Sequence, residues 1–96
     1  MTARDLIAAR KHEILQLAKR HGALRIRIFG SAARQVDTAS SDIDFLVKLE
    51  PGRSLLDQIA LQQDLAELLG RRVDVVVEGG VSPYLQDQIL AEALPL

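Results

Sequence analysis

Ninety-six residues, 48% hydrophobic and 26% charged, fit one small globular domain spanning 1–96 and exclude a disordered chain. There is no cysteine, only two histidines, and only three aromatics, Phe29, Phe45 and Tyr84. That excludes disulfides, thiol chemistry, Cys-based zinc and an aromatic platform for single-stranded nucleic acid. The formal charge of −1 conceals a division, since residues 1–34 carry eight Lys/Arg against two acids and residues 35–96 carry four against eleven. No apolar run approaches the ~18–20 residues of a membrane span, and Met1 leads into Thr-Ala-Arg-Asp without the apolar stretch of a secretion signal. The expectation is a soluble cytoplasmic domain that neither crosses a membrane nor binds nucleic acid directly.

The segment from about Ala3 to His21 carries Ile7, Ile14 and Leu17 at helical spacing, with Leu6, Leu15 and Ala18 beside them. It predicts one amphipathic helix whose other faces show Arg4, Arg10, Lys11, Lys19 and Arg20. His21-Gly22 ends it, with His21 as terminator rather than ligand and Gly22 in the left-handed C′ position. Leu24 to Phe29 alternates apolar and polar residues as a strand does. Ser31 to Arg34 predicts a short helix, Gln35 to Ser41 a polar loop, and Ile43 to Leu49 a second strand closed by Pro51-Gly52. Ser54 and Asp57 make a capping pair for a helix that runs to about Leu69 and ends at Gly70. Val73 to Val77 is a third strand, stopped by Gly79-Gly80. Ser82-Pro83 opens a last helix that reaches about Ala93. The predicted order is helix, strand, short helix, strand, helix, strand, helix. That is an α/β domain with a small sheet covered mainly on one face.

The chemistry lies in a spacing. Gly30-Ser31 closes the first strand, and after ten intervening residues Asp42-x-Asp44 opens the second. Residues i and i+2 of a strand share a face, so Asp42 and Asp44 project side by side, an arrangement that needs a cation or a proton. Asp74 is an odd acid in an otherwise all-valine run. If the third strand pairs beside the second, it completes a three-carboxylate cluster. Oxygen-only ligands suit Mg²⁺ or Mn²⁺ held together with substrate phosphates. Gly30 lets the backbone approach a phosphate, Ser31 adds a hydroxyl, and Arg34 lies one helical turn on. A phosphate cradle opposite carboxylates is the layout of metal-assisted nucleotidyl transfer.

These stretches, Gly30-Ser31-Ala32-Ala33-Arg34 through Ser41-Asp42-Ile43-Asp44 and then Gly70-Arg71-Arg72-Val73-Asp74-Val75-Val76, resemble the minimal nucleotidyltransferases of the DNA polymerase beta superfamily. Within it, the sequence is similar to the MntA-like antitoxins paired with HEPN-domain toxins. The resemblance covers nearly the whole chain and implies a polymerase-beta-like palm, a small mixed sheet of three or more strands. It implies that Gly30 and Ser31 hold the phosphates of a nucleoside triphosphate, with Arg34 facing the same region. Asp42 and Asp44 would ligate two Mg²⁺ ions, and Asp74 would help hold one of them and orient or deprotonate the attacking hydroxyl. For the antitoxin group it implies transfer of AMP from ATP to a tyrosine hydroxyl of the HEPN ribonuclease. One departure is Gln35, where the family commonly has glycine.

No second domain for the acceptor fits within 96 residues, so the acceptor is expected on another protein or another copy. The last helix, with Leu85, Ile89, Leu90, Ala93 and Leu94, either covers the sheet or packs on a partner. A non-catalytic antitoxin acting by occlusion, and transfer to a small molecule or RNA, remain the competing readings.

Overall fold

Thr2 starts the first helix, its hydroxyl accepting from the Asp5 amide while the Asp5 carboxylate accepts from the Thr2 amide. The computed structural model, which describes residues 2–96, shows two helices where the pattern predicts one: α1 (Ala3–Ala9) and α2 (Lys11–Arg20). The break falls at Arg10, with φ −120 and ψ 19. Neither glycine nor proline marks it. The cause is tertiary: α1 packs on the short third helix, whereas α2 packs on the first strand and on the long fourth helix. Helical periodicity alone does not report such a change of target.

Then follow β1 (Ala23–Phe29), α3 (Gly30–Arg34), β2 (Ile43–Leu49), α4 (Leu55–Leu69), β3 (Val73–Val77), α5 (Pro83–Glu92) and β4 (Leu94–Pro95). Ser54 and Asp57 form the predicted capping box of α4, and Gly70 ends that helix at φ +65. Gly22, at φ +80, takes the left-handed position after α2. The sheet order is β3-β2-β1-β4. β2 and β3 are parallel, which requires the crossover that α4 supplies, and β1 is antiparallel to both β2 and β4. β4 is not legible beforehand, since two residues, one of them proline, carry no periodicity.

One apolar cluster joins Ile26, Ile28, Ile43, Phe45, Val47, Val73 and Val75 of the sheet to Ile7, Ile14, Leu61 and Leu65 of the helices. The alternate strand residues point the other way, towards the side of α5, which packs on β1 and α3 apart from that cluster. None of α5 is fully buried, and Leu85 of that helix is exposed, as is Leu94 of β4. The sheet therefore has one closed face and one face with room for chemistry. Among the described residues, no helix is long and apolar enough to cross a membrane.

Candidate active site

The site lies where β1 ends and β2 and β3 begin. The parallel register sets Asp44 directly opposite Asp74, and the antiparallel register sets Phe29 opposite Asp44. Neighbouring strands are about 4.8 Å apart, so two carboxylates share one end of the face. Asp42 stands one residue before β2, and continuing the register places it beside Arg72. Ile43 N–H donates to the Arg72 carbonyl at 3.0 Å, and Arg72 Nε lies 3.0 Å from Asp42 Oδ1.

Asp44 is the most perturbed group of the site. Burial pushes its carboxyl up first, then the charges of Asp74 and Asp42 push further, to about 6, with Arg34 opposing and Glu92 adding to the rise. A half-buried carboxylate whose ionisation is made costlier by two negative neighbours is the electrostatic mark of a site that wants a cation.

Gly30 sits against this carboxylate. Its φ is +70, and a Cβ built there would collide with Asp44 Oδ2. Only glycine combines that backbone with so close an approach. The turn it opens is α3, whose first turn, including Ser31, has no side-chain cap. Its amides belong to the donors that anions satisfy at helix starts.

Arg34 is brought to the same neighbourhood but is already engaged. Its Nη1 lies 2.8 Å from Glu92 Oε2, a pair between α3 and α5. Gln35 explains the expected glycine, because it adopts φ 60 and ψ 34 as the C-cap of α3. Only a residue tolerating the left-handed region fits there without strain. Asp74 is exposed, and the burial of β3 alternates at its start, so the all-valine run is an edge strand rather than one buried on both sides.

Sequence reading missed what fixes the loop before Asp42. Arg71 and Asp37 form an ion pair at 3.4 Å with side chains only 10% and 3% exposed. Arg71 also donates to the carbonyls of Thr38 and Ser41, at 2.8 and 2.6 Å, while Asp37 accepts from the Ala3 amide at 2.9 Å. The loop is thus tied to the start of α1 and to the chain entering β3. Arg72 and Glu92 were missed too. Each pairs across thirty or more positions, and only the strand register or the fold of α5 reveals it.

The expected three-carboxylate cluster does not close: Asp44 and Asp74 are paired but Asp42 is drawn to Arg72, and among the described residues no three His, Cys, Asp or Glu side chains converge on a single ion-sized position. The donor set still suits Mg²⁺, which takes one or two carboxylates and completes its shell with water and substrate phosphates. Asp44, half-buried and short of positive charge, fits that description.

A strand, a glycine turn into a short helix and paired strand-start carboxylates form an arrangement suited to metal-assisted transfer of a nucleotide. Residues 11–96 match the model of the Nucleotidyltransferase domain, and the chain belongs to that family. It is an enzyme, a nucleotidyltransferase. A relative from Thermococcus cleftensis, the protein adenylyltransferase MntA, is 36% identical over 94% of this chain and 88% of its own length. A solved structure presented as a proposed minimal nucleotidyltransferase is 48% identical, with a TM-score of 0.88 over 100% of this chain and 97% of that one. A chain from a crystal structure of a toxin–antitoxin with AMP-PNP is 26% identical, with a TM-score of 0.77 over 88% of this chain and 69% of that one.

Proposed function

We propose that this protein is a metal-dependent antitoxin that transfers AMP from ATP to a tyrosine hydroxyl of a partner HEPN ribonuclease and thereby silences it. The observation that carries the reading is the Asp44–Asp74 pairing, with Gly30 packed against Asp44 at the uncapped start of α3. Its support outside this chain is the similarity to a protein adenylyltransferase and to a toxin–antitoxin chain crystallised with AMP-PNP.

In this reading the amides that follow Gly30, and the Ser31 hydroxyl, bind the β- and γ-phosphates, where α3 offers donors to anionic oxygens. Asp42 and Asp44 would hold Mg²⁺, with Asp74 in support. When bound, the metal supplies charge stabilisation to the attacking and leaving oxygens. Asp74, exposed at the edge of the sheet, orients the acceptor hydroxyl and takes its proton. The new bond joins the tyrosine oxygen to the α-phosphorus, the bond to pyrophosphate breaks, and pyrophosphate leaves with the displaced electron pair. Arg34, held at Glu92, faces the phosphates only after exchanging that partner.

The test is incubation with α-labelled ATP, Mg²⁺ and the product of the neighbouring gene, followed by mass spectrometry of the partner. Labelled AMP on a tyrosine, with loss of ribonuclease activity, is the expected result. Label on a metabolite or RNA, with none on the partner, contradicts it. A second reading, occlusion without chemistry, has one observation on its side: Asp42 is held by Arg72. It predicts full neutralisation by a protein carrying Asp42→Asn and Asp44→Asn.

A further inference from the structure

The cations of the N-terminal helices divide into those the fold uses and those it leaves to solvent. Arg4 donates to the carbonyls of Ala32 and Ala33 at the end of α3, and Arg10 pairs with Glu13. Lys11 and Lys19 are exposed, and among the described residues neither has an ion-pair partner. They stand two turns apart on α2, about 12 Å along its axis. Both line a groove of ≈ 510 Å³ together with Leu15, Leu24, Arg25 and Leu96. Leu24 and Leu15 are 61% and 43% exposed, although both are large and apolar.

The wall of this groove is a sheet edge, and the two edges of the sheet are treated differently. On β3, Val75 has both its backbone groups satisfied by α4: its carbonyl accepts from Gln58 at 2.7 Å, and its amide donates to Gln62 at 2.9 Å. At Val75 that edge is closed to another strand. On the other side, β4 pairs with β1 only at Arg27 and Ile28. Among the described residues, Ala23 to Ile26 have no strand partner on that side. Natural sheets cover or charge such edges unless they use them.

The geometry points to this groove as the docking site for an extended acidic segment of the acceptor protein, added as a strand along β1 in line with β4. Strand addition supplies backbone hydrogen bonds, Leu15 and Leu24 offer apolar contact, and Lys11 and Lys19, flanking Leu15 on the same stripe of α2, attract acidic side chains together with Arg25. Arg25 is shared with Glu78 on its inner side, so Lys11 and Lys19 carry most of the attraction. A second copy of this chain is the wrong occupant. Edge-to-edge pairing of two β1 strands would bring like-charged Lys11, Lys19 and Arg25 of both copies together.

The inference rests on the reading that the acceptor is a protein, and its test uses neither nucleotide nor metal. Failure of docking thus leaves the transferase reading standing, and failure of transfer leaves the docking site standing. A fluorescein-labelled octapeptide of alternating acidic and apolar residues is titrated by anisotropy, beside a basic counterpart and an acidic one with proline at alternate positions. The acidic peptide binds, more weakly as salt rises, and protects from hydrogen exchange the amides between Leu24 and Ile26 that face away from β2. Both control peptides fail to bind. The pair Lys11→Glu with Lys19→Glu weakens binding about tenfold or more, and so does Leu24→Glu, circular dichroism confirming that each variant is folded. No binding by wild type, unchanged binding by both variants, equal binding of the proline or basic peptide, or protection elsewhere overturns the proposal. Self-association of the free chain through these residues, seen by sedimentation, overturns it as well.

Discussion

On the face covered by α1, α2 and α4, strand β2 presents Ile43, Phe45 and Val47, all fully buried. On the face of α5 the same strand presents Asp44, Leu46 and Lys48, of which only Leu46 is buried. Neighbouring strands repeat the division. Val73 and Val75 point to the closed face, whereas Asp74 and Glu78 belong to the open one, where Glu78 pairs with Arg25 and Arg27. One face is built from groups that gain by leaving water. The other collects charges that cost stability, and a protein keeps such charges for use. Stability and chemistry are thus separated by the two-residue period of a strand.

Substitutions on the closed face should act on stability alone. Leu65, fully buried in α4, is expected to cost about 2–5 kcal/mol when cut to alanine, and denaturant unfolding measures it. Transfer per folded molecule should stay unchanged. Gly30→Ala is intermediate, because it forces a left-handed φ on a residue with a side chain and drives Cβ into the Asp44 carboxylate. The backbone term is about 1–2 kcal/mol, while transfer should fall far more than stability does.

Asp44→Asn should have the opposite sign on stability. The folded state raises the Asp44 pKa from 3.8 to about 6, so its favourable contribution is complete below about pH 3.8 and is lost as pH rises through about 6. The asparagine variant, without metal or nucleotide, should therefore melt higher than wild type at pH 7. At pH 3.5 the two should melt together. Scanning calorimetry at both values checks it, and a variant that melts lower at pH 7 contradicts the electrostatic account of the face. The smallest effect belongs to Gln35→Gly, which relieves a left-handed φ of 60. It should stabilise by about 1 kcal/mol or less once glycine's extra chain entropy is subtracted.

The open face was the more legible of the two. Spacing pointed to Gly30, Ser31, Asp42 and Asp44, and Asp74 stood out as an acid in a run of valines, because strand parity and the demand for glycine at a close approach are local properties. The parallel register then set Asp44 opposite Asp74, as the strand-pairing argument required. What escaped was non-local. The break at Arg10 depends on which elements α1 and α2 meet, and β4 is too short to carry a period. The Arg71–Asp37 anchor and the Arg72–Asp42 and Arg34–Glu92 pairs join positions distant in sequence, so residue types suggest charges without saying which ones meet.

The most direct measurement is AMP transfer from α-labelled ATP to the partner protein by a variant carrying Asp42→Asn and Asp44→Asn, with complex formation followed in parallel. Both substitutions lie on the open face and remove no core contact. The account predicts transfer reduced about a thousandfold or more, ~4 kcal/mol of barrier, with the complex and the fold intact. Transfer or neutralisation at wild-type levels in that variant would contradict the claim that this face is the catalytic one.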